Sequence, residues 1–454
     1  MLLAAAMGMA VLALVVLRPA AGAVLYLAAT PLLVGVARGD LLPGVRPNEF
    51  LLLAIAGGLA ARTVLLMLAG RQPRAEVCRI DAVLIALATT GSLLPLAFRS
   101  ARGLPVTTED LLYALVLWKY YLLYRVVRAG AATPAQARRC LHLSLASGAV
   151  VAVVGILQVA DLAGVPAFLH EHYDQPFEGH TGIMTDRGTS TVGSSFGFAD
   201  LMIMNLVVAL ALLRQGGPRR RLVPLAALML AGCMAAGAFS GYLGLFVAVL
   251  AFGAVTRQPT RHLLLTLPAA LALALAFWPV VGRRLAGFES AAGVPQSWSG
   301  RWDNLRDFFL PELLSGANWL VGVRPAARLP APESWRDWIY IESGYVWLLW
   351  TGGLPFLVAF LAFLWIAGRR LWEVAQHRPP TAAGAAAAAG FAYLCVIATL
   401  MLFDPHLTVR GSADLFFPLL ALSLAGTGQE RRPVQAGAAL PRRPLPLPQA
   451  YPQS

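Results

Sequence analysis

Residues 382–403 read AAGAAAAAGFAYLCVIATLMLF, a run of 22 residues without one charged side chain. A helical run of this length can cross the hydrocarbon core of a bilayer, which is roughly 30 Å thick. The rest of the 454-residue chain is similar, since 58% of its residues are hydrophobic, 13% are charged and the mean hydropathy is +0.66. A soluble protein of this size needs far more polar surface. The composition therefore indicates an all-α, polytopic integral membrane protein.

Thirteen apolar runs are long enough to cross, or nearly cross, a bilayer. They fall at roughly 2–17, 20–36, 49–69, 80–98, 109–127, 141–164, 196–213, 222–238, 241–256, 262–281, 342–366, 382–403 and 411–426. The first two are short and are separated only by Arg18-Pro19, so they form either one broken element or two separate spans. The sequence predicts 12 or 13 transmembrane helices. Thr107 with Asp110, and Thr133 with Gln136, are predicted capping pairs at two helix starts.

Short arginine clusters occupy every second connection between these runs. They are Arg71/Arg74/Arg79, Arg125/Arg128/Arg138/Arg139, Arg214/Arg219/Arg220/Arg221, Arg257/Arg261, Arg369/Arg370/Arg378 and Arg431/Arg432. Positively charged loops stay in the cytoplasm, so these connections are predicted to be cytoplasmic and the alternate ones external. Topology, rather than nucleic-acid binding, then explains the formal charge of +13. Residues 1–429 form the membrane domain, and the Pro/Arg-rich segment 430–454 is predicted to be a disordered cytoplasmic tail.

Two predicted external loops, 165–195 and 282–341, are longer than a helix connection requires, and such loops are usually functional. The polar segment from Val281 to Tyr340 holds seven arginines, six acids and five of the eleven tryptophans. Arginine forks suit phosphate oxygens, and flat indole rings can lie against the apolar faces of sugars. The segment therefore predicts a site for a lipid-linked sugar phosphate. The alternative is an interfacial segment whose arginines meet lipid headgroups and whose tryptophans lie in the aromatic belt.

Three arginines and one acid are the candidate reactive residues. Arg187 precedes a stretch rich in glycine and hydroxyl groups at a helix start, where backbone N–H groups can hold an anion. Arg301 and Arg306 lie on an amphipathic segment and are predicted to bind a diphosphate. Glu342 stands at the lip of the next membrane helix, where a carboxylate acts either as a general base or as a complement to the helix dipole. The candidate sugar-binding residues are Trp302, Trp335, Trp338 and Tyr345.

Other polar residues point to no metal or cofactor. The first long loop holds the histidines and acids His170, Glu171, His172, Asp174, Glu178 and His180, whose spacing matches no established ligand pattern. The four cysteines lie far apart and are interpreted as small buried hydrophobes. Ionisable residues within or beside apolar runs are Asp81, Lys119, Asp200, Asp404 and Asp414, and pairing of Asp404 and Asp414 with Arg410 is one expectation.

Several motifs, taken in order, resemble the bacterial O-antigen polymerase and O-antigen ligase superfamily over nearly the full length. They are Arg187-Gly188-Thr189, Ala238-Phe239-Ser240-Gly241, Gly300-Arg301-Trp302, Leu320-Val321-Gly322-Val323, and Glu342-Ser343-Gly344-Tyr345 leading into Trp350-Thr351-Gly352-Gly353. The resemblance implies an inverting transfer of a glycan from undecaprenyl diphosphate to an acceptor hydroxyl, without a nucleotide sugar. It implies diphosphate binding by Arg187 and Arg301, and Glu342 as base.

The chain departs from that family at two points. Ligases of the family typically have a histidine near the lip where Glu342-Ser343 stands, and the arginine-to-glycine spacings of some polymerases are only approximated by Arg187 to Gly197 and Arg306 to Gly316. The expectation is a polymerase, or a ligase-like enzyme of unknown acceptor, rather than a lipopolysaccharide ligase. The expected enzyme is a metal-independent glycosyltransferase of the bacterial inner membrane. Its expected partners are an undecaprenyl-diphosphate-linked oligosaccharide, an acceptor glycan or lipid, the bilayer and other envelope-polysaccharide assembly proteins, but not nucleic acid. The alternatives are a flippase for lipid-linked saccharides, which does no chemistry, and a membrane scaffold.

Overall fold

The computed structural model describes residues 2–39, 44–71, 77–173, 187–286, 288, 296–332 and 337–425. The described chain is an all-α bundle. Its first twelve helices are α1 (Leu2–Leu17), α2 (Pro19–Leu33), α3 (Pro47–Leu68), α4 (Arg79–Thr90), α5 (Leu93–Ala101), α6 (Thr108–Gly130), α7 (Pro134–Val159), α8 (Val165–His172), α9 (Ser195–Arg214), α10 (Arg219–Ala235), α11 (Phe239–Thr256) and α12 (Pro259–Ala276). The remainder are α13 (Trp278–Ala286), α14 (Gln296–Asn304), α15 (Leu310–Leu313), α16 (Asn318–Val321), α17 (Gly344–His377), α18 (Ala382–Leu400) and α19 (Ala413–Leu422).

Within the described residues, each of the thirteen apolar runs contains a helix or parts of two helices, which confirms the fold class. Eight helical segments are long and apolar enough to cross a membrane: Pro47–Leu68, Arg79–Ala101, Pro134–Val159, Ser195–Arg214, Phe239–Thr256, Pro259–Ala276, Gly344–His377 and Ala382–Leu400. Shorter apolar helices cover Ala4–Leu17, Pro19–Leu33 and Ala413–Leu422. The chain is thus a multi-pass membrane protein. The predicted tail, residues 430–454, lies outside the described residues.

The first two runs are separate antiparallel helices rather than one broken element. Along α1, Gly8 lies against Phe50, and Leu12 and Val15 lie against Gly58, so α1 runs parallel to α3. Along α2, Gly22 lies against Ile55, and Arg38 beyond its end pairs with Glu49, so α2 runs the opposite way. The chain reverses at Arg18, whose φ of −134° ends the first helix.

The connections between helices gather at two ends, as the arginine pattern predicts. At one end the segment after α12 meets two other predicted external connections, through Arg102 to Asn318 (2.7 Å) and Arg301 to Asp404 (3.0 Å). At the opposite end, Gln215 donates to the carbonyl of Pro379 (3.1 Å), which joins two arginine-rich connections. The described residues of the 282–341 segment therefore form a cap on the end opposite the arginine-rich connections.

The described residues of this cap form several short elements. After α14 come one π-helical turn (Leu305–Phe309), α15 and α16, and then an antiparallel pair of strands, β1 (Arg328–Pro330) and β2 (Trp338–Tyr340), with Leu329 opposite Ile339. The cap reaches into the bundle where two helices are broken. Helix α17 has a left-handed residue, Gly353 (φ 64°), and α4 gives way to α5 at Gly91. The N–H of Val323 donates to the carbonyl of Trp350 (2.6 Å), so the cap packs against the break in α17.

Both predicted capping pairs are confirmed. The hydroxyl of Thr107 accepts from the N–H of Asp110 (3.1 Å), and the Asp110 carboxylate accepts from the N–H of Thr107 (3.0 Å). Thr133 and Gln136 form the same reciprocal pair at the start of α7. These contacts satisfy N–H groups that have no partner inside the helix.

Candidate functional site

Four polar side chains meet where the cap joins the bundle: Arg301, Asn304, Glu342 and Asp404, here called the Arg301 cluster. Nη1 of Arg301 donates to Oδ2 of Asp404 (3.0 Å) and to the carbonyl of Phe403 (3.4 Å), and its Nε lies 3.5 Å from Oε1 of Glu342. Nδ2 of Asn304 donates to the other Glu342 oxygen (3.1 Å). The side chains of Arg301, Glu342 and Asp404 are 29%, 27% and 14% exposed, so the cluster is open to solvent at one side.

Three separate elements bring these residues together. Arg301 and Asn304 are one turn apart on α14 and therefore share a face. Glu342 precedes Ser343, whose hydroxyl caps α17 by accepting from the N–H of Val346. Asp404 begins the connection that follows α18. The buried ring of Phe309 packs edge-on against Trp350 (centroids 5.1 Å apart), and this contact holds the segment after α14 against α17.

A buried ion pair lies next to the cluster. Nδ1 of His406 lies 2.7 Å from Oδ2 of Asp200 on α9, and both side chains are fully buried. The N–H of His406 also donates to the main-chain carbonyl of Asp404 (2.7 Å). Burial lowers the pKa of His406, but the Asp200 carboxylate and its hydrogen bond outweigh burial, so the pKa lies above its usual value of 6.5. The pair therefore anchors the connection that carries Asp404.

Asp404 and Asp414 do not have the partners that the sequence suggested. Asp404 pairs with Arg301 rather than with Arg410, because the cap folds back over the connection that follows α18. Asp414 accepts hydrogen bonds from the hydroxyl of Tyr26 (2.6 Å) and the N–H of Gly411 (3.0 Å). Glu342 and Arg301, by contrast, are brought together as the sequence predicts for residues of one site.

The other predicted diphosphate-binding arginines lie apart from the contacts of the cluster. Arg306 is 57% exposed and pairs locally with Asp307 (2.7 Å) and Asp303 (3.5 Å). Arg187 precedes a buried turn in which the N–H groups of Thr189 and Ser190 donate to Gln158 (2.9 and 2.8 Å). Its own Nε is buried without a hydrogen-bond partner among the described residues.

The predicted sugar-binding residues differ in how open they are. Trp302 is 59% exposed beside Arg301, which leaves its ring available to a ligand. The ring of Trp338 is covered by the Arg328 guanidinium at 3.9 Å from the centroid. The hydroxyl of Tyr345 donates to the carbonyl of Ala398 (2.8 Å), so it ties α17 to α18. Trp335 lies outside the described residues.

A second set of ion pairs fastens the cap to the start of α6. Arg324 pairs with the buried Asp110 (2.8 Å), and Arg328 pairs with Glu109. From the sequence, Asp110 is predicted only to cap α6. Arg324 lies 214 positions further along the chain, so no local spacing indicates the ion pair between the two residues. The cap is thus held at both the Arg301 cluster and the α6 start.

Within the residues that the structure describes, no group of three or more His, Cys, Asp and Glu side chains is arranged to hold a metal. His170 and His172 of the first long loop are described and exposed, whereas Asp174, Glu178 and His180 lie outside the described residues. The Arg301 cluster itself offers a cation for an anionic group beside a carboxylate that can accept a proton. The chain matches no known protein-family model and no curated protein.

Proposed function

We propose that this protein is an integral membrane glycosyltransferase that transfers a glycan from a polyprenyl diphosphate to an acceptor hydroxyl at the Arg301 cluster. The observation that supports this most is the placement of one partly exposed arginine between two carboxylates at the lip of a membrane bundle. A lipid-linked diphosphate keeps its chain in the bilayer and its charge at this lip. The resemblance to O-antigen polymerases and ligases points to undecaprenyl diphosphate as the carrier and to the bacterial inner membrane as the location.

In the proposed reaction, Arg301, Asp404 and Glu342 have separate roles. Nη1 of Arg301 is held by Asp404 and Nε faces Glu342, whereas Nη2 makes no hydrogen bond to the described residues and can take a phosphate oxygen. Glu342 accepts the proton of the acceptor hydroxyl as the acceptor oxygen bonds to the anomeric carbon. The bond from that carbon to the phosphate oxygen breaks, and the diphosphate leaves with charge that Arg301 neutralises. Attack opposite the leaving group inverts the anomeric centre.

A flippase remains the second candidate because two helices are broken side by side. Discontinuous helices are common at the substrate sites of transporters, and here Gly352 of α17 lies against the carbonyl of Thr90, where α4 ends. The break is filled, however, by residues 320–323 of the cap, since Gly353 lies against Leu320 and Gly322 against Thr351. A packed break favours the enzyme over a transport path.

The test is a transfer reaction with purified protein, an undecaprenyl-diphosphate oligosaccharide, candidate acceptors, and no added metal or nucleotide, read by mass spectrometry. Longer lipid-linked glycans indicate a polymerase, and glycan on a second acceptor indicates a ligase. Glu342→Gln is expected to lower the rate by about 10²–10⁴-fold, the usual contribution of a general base. The matched control is Glu312→Gln, an exposed acid of the same cap.

Two outcomes count against the transferase. An intact donor in the presence of both acceptor types, together with movement of the donor across liposome membranes, would establish the flippase. Equal rates for the wild type and Glu342→Gln would remove Glu342 as the base.

A further inference from the structure

The buried acids of the bundle differ in what neutralises them. Four aspartates are buried in the described chain: Asp81, Asp110, Asp200 and Asp414. Asp81 pairs with Arg125 and Arg128 (2.7 Å each), Asp110 with Arg324 (2.8 Å) and Asp200 with His406 (2.7 Å). Within the described residues, no cationic side chain lies within the 4.0 Å ion-pair distance of Asp414, which is 3% exposed. A buried carboxylate in an apolar bundle requires a compensating charge.

A small cavity adjoins this carboxylate. Its volume is about 10 Å³, which is close to the space that a single water-sized sphere occupies. It is lined by residues of three helices and one connection: Leu27, Thr30 and Pro31 of α2, Ser144 of α7, Gly411, and Asp414 and Leu415 of α19. The cavity therefore lies where α2, α7 and α19 converge.

Oxygen atoms with unused lone pairs surround this cavity. The hydroxyl of Thr30 is buried and makes no hydrogen bond to the described residues. Ser144 gives its hydroxyl proton to Oδ1 of Asn205 (2.8 Å), which leaves its lone pairs free. Pro31 has no N–H, so the carbonyl of Leu27 lacks the donor that an α-helix normally supplies four residues later. Residues that carry two hydroxyls, one carbonyl without its helical donor and one carboxylate thus line a single small volume.

We propose that this cavity is a binding site for one small monovalent cation of the size of sodium, held by Asp414, Thr30, Ser144 and the carbonyl of Leu27. Hard cations prefer oxygen ligands of this kind, and backbone carbonyls freed by helix irregularities coordinate sodium in membrane proteins. One carboxylate balances one positive charge. A calcium ion takes six to eight oxygens, which is more than the lining provides. The site is independent of the proposed transfer reaction, since none of its residues belongs to the Arg301 cluster.

Sodium binding can be measured without any enzyme assay. Purified wild-type protein in detergent is unfolded by heat, with tryptophan fluorescence as the readout, in sodium chloride and in choline chloride of equal ionic strength. The midpoint is expected to rise with sodium concentration and to saturate, because a ligand that binds only the folded state stabilises it. Potassium is expected to give a smaller shift because it is larger. Equilibrium binding of radioactive sodium is expected to give one ion per chain.

Thr30→Val is the sharpest variant, since it keeps the shape of the side chain and removes one of the proposed oxygen ligands. We expect its apparent sodium affinity to fall about tenfold or more, the factor that corresponds to losing one charge-assisted contact. Asp414→Asn is expected to abolish the sodium response. The matched control is Ser147→Ala, which removes a hydroxyl one turn along α7 that donates to Ala28 instead (2.9 Å); its sodium response is expected to equal that of the wild type.

Two results would overturn the proposal. A wild-type midpoint that does not change with sodium concentration means that the folded protein binds no sodium ion at this cavity. A sodium response that is the same in Thr30→Val and in the wild type places the ion elsewhere in the protein.

Discussion

Three oxygen-bearing groups converge on the guanidinium of Arg301, namely Glu342, Asp404 and the carbonyl of Phe403. A lysine at this position keeps the charge, but one ammonium group cannot reach these partners and a phosphate in a planar arrangement. We expect Arg301→Lys to raise the KM for the lipid-linked donor about tenfold or more, as the loss of a hydrogen bond to a charged group predicts. Initial rates over a range of donor concentrations measure this change.

Arg306→Lys is the control for that experiment. Arg306 is exposed and pairs only with its neighbours Asp303 and Asp307 among the described residues, so its replacement is expected to leave the KM unchanged. Equal losses in the two variants would mean that both arginines hold the diphosphate, as the sequence suggested. They would also mean that the cap rearranges when the donor binds.

The His406–Asp200 pair predicts how stability depends on pH. The pKa of His406 is raised above 6.5 in the folded protein, so the pair contributes stability that is complete below pH 6.5 and is lost as the pH rises through the folded pKa. The thermal midpoint of the wild type is expected to fall over that alkaline range. In His406→Gln this component is expected to disappear.

His170→Gln is the comparison variant, because His170 is exposed and is expected to keep the pH profile of the wild type. Replacing His406 by alanine is expected to be more severe. It leaves the buried Asp200 without its partner, which typically costs about 3–5 kcal/mol. Identical pH profiles for His406→Gln and the wild type would show that the imidazole is neutral in the folded protein.

The residues of the site could be predicted in part. Arg301 and Glu342 were found because each has a local signal, an arginine in an amphipathic segment and an acid at a helix start. Asp404 was noted as an acid near the membrane, but its partner was assigned wrongly, since Arg301 lies 103 positions away and the cap conformation decides the contact. His406 was missed, because its only signal is the pairing with Asp200, 206 positions away. Patterns among neighbouring residues in the sequence cannot predict contacts between residues that lie this far apart along the chain.

Among the elements, helix α17 is interrupted at Gly353, and part of this interruption is visible in the sequence. The run Thr351-Gly352-Gly353-Leu354-Pro355 combines glycines with a proline, the composition that interrupts a helix. Gly353 has φ 64° and lies against the carbonyl of Leu320, so an alanine here meets both backbone strain and a close contact. The interruption can thus be read from the sequence, whereas its packing against the cap cannot.

We expect Gly353→Ala to destabilise the folded protein by about 1–3 kcal/mol, the usual cost of such a backbone conformation, with further loss from the contact. The thermal midpoint of the purified variant measures this effect. Gly368→Ala on the same helix is the control, because its added methyl group meets only the side chain of Leu394, at 3.4 Å. A normal midpoint for Gly353→Ala would mean that the break is not required for folding.

For the whole molecule, the arginine pattern correctly separates the connections into two ends, and the charge bias predicts that the cap end is external. Cysteine labelling in cells tests this orientation after the four natural cysteines are replaced by alanine. A cysteine at Ser315 in the cap is expected to react with a membrane-impermeant maleimide in intact cells. A cysteine at Gln258, at the arginine-rich end, is expected to react only after the membrane is disrupted. The reverse pattern would invert the topology and place the Arg301 cluster in the cytoplasm.

The reversal of the chain at Arg18 has a consequence for biogenesis. Helices α1 and α2 are 16 and 15 residues long and have one residue between them, so the chain turns back without a loop. We expect the two helices to enter the lipid together as a hairpin whose bend stays at the arginine-rich end. There Arg62 of α3 donates to the carbonyl of Val16 (2.7 Å), so the third helix satisfies a carbonyl at the bend of the hairpin. The hairpin and α3 therefore form one three-helix unit that is joined at the arginine-rich end.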